Sequence, residues 1–217
     1  MTGNLTSEAT VHDGQHQIPL RLGAWVRANA VGLGLTFALF ALVGESMEAM
    51  GAEHDTVAWG VPTLVAMILG GTVFAELRRR VLGTLHRGGG WQVLIIGIGT
   101  TAGFVAGWIP PLDFVAGTLA AGVLGGALQL RGLRRRVGRS GRLTLIGVGA
   151  WLVAGLAAVA AAILVADVII VGALGLDDVP NGIGGFVAIL TLVGVVGGAV
   201  GGTIEGAALR RRIARAG

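Results

Sequence analysis

The sequence has no cysteine, no lysine and no tyrosine among its 217 residues. Without cysteine there is no disulfide framework and no thiolate chemistry, and the redox compartment is left undetermined. Without lysine, all 16 basic residues are arginine, and 40 residues are glycine. An Arg-only chain rich in Ala, Gly and Val suggests a GC-rich bacterial genome. Charge is scarce as well: 13% of residues are charged, against roughly 25% in a typical soluble domain. With 53% of residues hydrophobic, a globule this short has too little interior for its apolar surface, so lipid must solvate part of it.

Catalytic patterns are missing too. There is no Ser/His/Asp set, no His-Glu-x-x-His and no intramembrane Ser–His pair, so a membrane hydrolase is not expected. Gly97-Ile98-Gly99 and Gly182-Ile183-Gly184-Gly185 lack the preceding strand and following helix start that make a phosphate cradle. His54, between Glu53 and Asp55 with Glu48 nearby, has the donor types of a divalent-metal site. A single histidine in an acidic loop reads as solvated, so no metal and no cofactor is expected. The net charge is +4, which in a soluble protein would point to nucleic acid. Here the arginines stand at the ends of apolar segments, so they are read as topology signals and nucleic acid is not an expected partner.

Residues 1–20 are polar and read as a flexible cytoplasmic tail. Residues 21–217 read as one transmembrane domain with six apolar segments, at about 22–44, 57–77, 91–109, 112–133, 143–174 and 184–209. A span needs about 20 apolar residues; the fifth segment is longer and should tilt or project. No alternating polar and apolar pattern supports a β-barrel. The arginines all fall on one side of this arrangement. Arg21 and Arg27 open segment one, Arg78, Arg79, Arg80 and Arg87 follow segment two, and Arg131, Arg134, Arg135, Arg136, Arg139 and Arg142 surround the second basic loop. Arg210, Arg211, Arg212 and Arg215 close the chain. The opposite loops carry Glu45, Glu48, Glu53, Asp55, Asp113, Asp177 and Asp178. This bias places both termini in the cytoplasm of a multi-pass inner-membrane protein. The triple arginines at 78–80, 134–136 and 210–212 set topology and are suited to anionic lipid headgroups.

The even segments repeat one another. Gly70, Gly126 and Gly202 each stand eight residues before a triple arginine, and Leu77, Leu133 and Leu209 stand immediately before it. Trp25, Trp91 and Trp151 mark the starts of the odd segments. The implied unit is a helical hairpin, repeated at about 22–81, 91–137 and 143–213. Three parallel copies predict pseudo-threefold symmetry about the membrane normal. This pattern of Trp-start helix, Gly-rich return helix and Leu-Arg-Arg end, carried by the Trp25-Val26-Arg27-Ala28-Asn29 run and the Gln129 and Glu205 segments, resembles a poorly characterised group of bacterial repeat-hairpin membrane proteins. That resemblance implies architecture and supplies no activity. The glycine-row helices ending in arginine are also similar to those of mitochondrial inner-membrane translocase subunits, which have four spans per chain.

Glycines recur every four residues at Gly99, Gly103 and Gly107, at Gly122 and Gly126, and at Gly194, Gly198, Gly202 and Gly206. Such rows let helix backbones approach closely, either within the chain or between copies of it. Glu205 and Gln129 each lie seven residues after a row glycine, nearly two turns on, and so face a neighbouring helix. An ionisable group there is a functional candidate or a structural ion pair; Arg27, Asn29, Gln92 and Arg131 are the partners at its depth. Asp167, late in segment five, is a second candidate, as a proton or cation site or as a wetted carboxylate. The sparse interior favours a non-enzymatic scaffold or accessory subunit, bound to a membrane partner or to itself. The alternative is a small transporter or channel using Glu205, Gln129 and Asp167.

Overall fold

A computed structural model describes residues 20–53, 56–83, 141–165 and 183–216. Among them are four α-helices: α1 (Leu22–Ala49), α2 (Val57–Leu82), α3 (Gly141–Ile163) and α4 (Ile183–Ala216). All four are long and apolar enough to cross a membrane. At 1.5 Å per residue they measure about 35 to 51 Å, which exceeds the roughly 30 Å hydrocarbon core. They are apolar on the outside as well as the inside. Val57, Val61, Leu64, Val65 and Leu69 of α2 and Leu145 and Leu156 of α3 are exposed, an arrangement that suits lipid as the outer solvent. The chain is a multi-pass membrane protein.

The expected six-helix bundle with pseudo-threefold symmetry is corrected to four spanning helices among the described residues. Segments three and four, at 91–109 and 112–133, lie outside those residues, as does the stretch 166–174 at the end of segment five and the tail 1–19. An apolar run is necessary for a span, but a count of runs is not a count of packed helices. The expected symmetry also fails on residues that can be compared. Arg78 and Arg210 hold the same place in the repeat, yet Arg78 is fully buried and Arg210 is exposed.

Contacts fix an up-down-up-down arrangement. Gly44 of α1 faces Trp59 of α2 while Gly32 faces Phe74, so the two helices are antiparallel. Gly194 faces Leu33, and Gly206 faces Trp25 and Leu22, so α4 also runs antiparallel to α1. Gly197 faces Ala158 and Gly201 faces Trp151, which sets α3 antiparallel to α4. Helix α1 is therefore gripped between α2 and α4, and the ends that carry arginine lie together. The turn from α1 to α2 is a Schellman motif. Gly51, at φ 86°, donates to Glu48 O at 2.8 Å, and Ala52 donates to Met47 O at 2.9 Å. Glycine adopts that left-handed conformation without a Cβ clash. Pro62 lies in the second turn of α2 without breaking it.

Two kinds of packing hold the bundle. Leu33, Phe37, Phe40, Trp59, Met67, Phe74, Trp151 and Leu190 form the main core, with edge-to-face ring pairs at Phe40–Trp59 (6.3 Å) and Phe74–Trp151 (5.9 Å). The glycines then bring backbones together. A Cβ on Gly194 would stand 2.6 Å from Leu33 O, one on Gly70 would stand 2.6 Å from Thr36 Cα, and one on Gly198 would run into the Asn29 carbonyl. These obstacles are backbone atoms, which cannot rotate away. Gly198→Ala is therefore expected to destabilise by about 1–3 kcal/mol through overpacking. Gly149, with nothing within 4 Å of an added Cβ, is the control: Gly149→Ala gains up to about 1 kcal/mol of helix propensity. Thermal unfolding of both variants in one detergent checks the pair. Equal midpoints would mean that α1 and α4 are not in backbone contact.

Candidate functional site

The inward face of α2 runs through Thr63, Met67, Gly70 and Phe74, in steps of three and four residues that keep one side of a helix in register. The next step is Arg78. Its helical phase, not its charge, sends it into the bundle, where it is 1% exposed. Arg79 and Arg80 rotate off that face and share the Glu76 carboxylate, at 2.6 and 2.9 Å. On α4 the inward face passes through Gly198 and Gly202 to Glu205, which is 2% exposed. Arg78 Nη2 donates to Glu205 Oε2, closing a buried ion pair between α2 and α4.

Aromatic rings enclose the guanidinium. Its Cζ lies 4.5 Å from the ring centre of Trp25, 5.1 Å from Phe74 and 5.7 Å from Trp151, all within cation–π range. Asn29, one turn after Trp25 on α1, is completely buried and donates from Nδ2 to Trp25 O at 2.8 Å. Three of these side chains lie against the turn of α4 that carries Glu205. An added Cβ at Gly206 would stand 3.2 Å from Trp25 Nε1, one at Gly202 3.0 Å from Asn29 Cγ, and one at Gly201 3.6 Å from Trp151 Cε3. All four helices thus contribute to one cluster.

The pairing is single-pronged. Among the described residues, Arg78 Nε, Glu205 Oε1, Asn29 Oδ1, Trp25 Nε1 and Trp151 Nε1 are buried without a hydrogen-bond partner. Buried polar atoms are ordinarily paired, so the cluster holds polar capacity that its own side chains leave unused. No group of three or more metal-ligating side chains occurs among the described residues.

Glu205 therefore meets Arg78, a residue that sequence reasoning placed at the headgroups. Arg27 is exposed, its Nε donating to Gly23 O at 3.3 Å. Asn29 joins the cluster without bonding to Glu205. Gln92, Gln129, Arg131 and Asp167 lie outside the described residues, as do His54, Gly99, Gly103, Gly107, Gly122, Gly126, Arg134, Arg135 and Arg136. Gly194, Gly198, Gly202 and Gly206 lie against α1, so that row is already used within the chain. Arg210 and Arg211 are exposed and Arg212 is half-buried. Trp25 and Trp151 stood out in the sequence as markers of the repeat only, and Phe74 did not stand out; the available signal was the three-to-four spacing that leads from Met67 to Arg78.

Comparison with protein-family models, with characterised proteins and with solved structures finds no match.

Removing one partner of a buried ion pair strands the other charge, which costs about 3–5 kcal/mol, whereas replacing both by apolar residues is often close to neutral. Arg78→Met and Glu205→Leu are each expected to lower the unfolding midpoint strongly, and the double variant to recover most of the loss. A double variant as unstable as the two losses added together would show that the charges do not interact.

Proposed function

We propose that the chain is a non-enzymatic scaffold or accessory subunit of the bacterial cytoplasmic membrane, with both termini on the cytoplasmic side. The observation that carries this reading is the close backbone packing of α1 between α2 and α4. Its Gly32 and Thr36 lie against Phe74 and Gly70 of α2, and its Asn29 and Leu33 against the glycine row of α4, at separations that leave no room for a Cβ. Backbones so close cannot slide past one another without losing their packing. A rigid body of this kind is suited to presenting fixed faces to a partner.

Two further features agree with it. The described helices are continuous, whereas transporter sites are typically built from helices interrupted at the midplane. The interior charge at Glu205 is already matched by Arg78. The exposed Arg80, Arg210 and Arg211 stand at one end, and an arginine near an anionic leaflet that is not paired with a carboxylate adds about 1 kcal/mol of attraction.

The test is to purify the tagged chain from its own host in native nanodiscs and to assemble it separately into proteoliposomes. The expected result is a partner, or further copies of the chain, at fixed stoichiometry across preparations, in vesicles that hold a proton gradient as well as protein-free ones do. A lone particle whose vesicles dissipate the gradient, and stop doing so with Glu205→Gln, would replace the scaffold by a transporter.

A further inference from the structure

We propose that Trp25, Phe74, Trp151 and Glu205 form a binding site for guanidinium-type cations, in which the Arg78 head group is the resident and displaceable occupant. The site goes beyond the scaffold reading and does not depend on it.

Three aromatic faces and a carboxylate around a planar cation make up the chemistry by which proteins recognise organic cations. Here the rings stand 4.5, 5.1 and 5.7 Å from the guanidinium carbon, and they come from three different helices. They belong to α1, α2 and α3, and the carboxylate belongs to α4, so the enclosure is made by the bundle rather than by the helix that supplies Arg78 alone.

Arg78 does not use the acceptors in full. A guanidinium and a carboxylate can form two parallel hydrogen bonds, but Arg78 reaches only Glu205 Oε2. Glu205 Oε1 and Asn29 Oδ1 accept nothing among the described residues, and Arg78 Nε donates nothing. Anchored to α2, the side chain meets one of the two oxygens. A free guanidinium ion has no tether. It can offer a fork to both oxygens of Glu205 while keeping its faces against the rings, and it leaves the net charge of the cluster unchanged.

A withdrawn Arg78 would pass the end of α2. It lies one turn from the end of α2 at Leu82. The next turn of its own face is Leu82, which is buried with Leu20 and Leu209, so withdrawal requires these apolar side chains to move aside, at a level of the helix where the Arg79 and Arg80 side chains are 42% and 73% exposed. Glu76 is already taken by those two arginines and does not compete for Arg78 as it leaves.

The experiment follows indole fluorescence of the full-length protein in nanodiscs during titration with guanidinium chloride. Sodium chloride at matched ionic strength controls for salt, and urea serves as the uncharged shape analogue. The wild type is expected to give a saturable response to guanidinium that neither control produces and that Glu205→Gln abolishes. In Arg78→Ala the cage has no resident. The apparent dissociation constant is then expected to fall by about tenfold or more, because the competent, vacated state no longer has to be populated first. Bound cation should also raise the thermal midpoint of that variant. An equal response to urea, a non-saturating response, or a wild-type response unchanged by Glu205→Gln would overturn the proposal. If Arg78→Ala does not fold without the cation, its recovery when guanidinium, but not urea, is present during purification supports the site. Failure of both to recover it, with no saturable response in the wild type, refutes it.

Discussion

The structure turns on a single energetic problem, the burial of the Arg78 guanidinium among apolar helices. An unpaired charge in that setting costs many times what any one hydrophobic contact returns. The solution draws on every described helix. Glu205 of α4 supplies the counter-charge, and Trp25 of α1, Phe74 of α2 and Trp151 of α3 supply polarisable faces. For Glu205 to reach Arg78, α4 must lie very close to α1. The glycine row makes that approach sterically available: with alanine at Gly202 the new methyl would sit 2.8 Å from Asn29 Cβ. The glycine spacing and the ion pair are therefore parts of one arrangement.

Much of this was legible in the sequence, and what was not has a physical reason. Apolar length marks the four spans among the described residues, although counting apolar runs gave six, and the four-residue glycine period of α4 marks a close helix contact. The partner of Glu205 was missed because the triple arginine at 78–80 reads as one basic block at a membrane boundary. Composition windows end where charge begins, but the hydrogen-bond ladder of a helix does not. Helix α2 continues through its arginines to Leu82, and α4 continues through its own to Ala216. Once α2 is extended, the face defined by Met67, Gly70 and Phe74 arrives at Arg78 and leaves Arg79 and Arg80 outside.

The same phase argument separates copies of the repeat that look alike. On α4 the inward steps after Gly202 fall on Glu205 and then Leu209, both buried, so the triple arginine begins one position past the buried face and Arg210 is exposed. On α2 the residue aligned with Glu205 is Val73, which is exposed. Two segments with matching glycine, leucine and arginine positions thus send opposite charges inward, one each, and those two charges meet. Sequence similarity between the segments did not imply equivalent environments, because one residue of helical rotation, about 100°, moves a side chain from the interior to the surface.

That division of labour also explains how a rigid bundle could hold an exchangeable ion. The walls of the cage are positioned by contacts that do not involve Arg78. Gly206 lies against Trp25, Gly201 against Trp151, and Gly32 against Phe74, so the rings are fixed by backbone spacing between helices. The Arg78 side chain contributes charge to the site but little to its framework. When a long, flexible side chain fills an enclosure whose shape is set by glycine contacts, the enclosure need not collapse when the side chain withdraws, provided that another cation takes its place beside Glu205. Rigidity in the helices and mobility in the cation are then compatible, because they reside in different atoms.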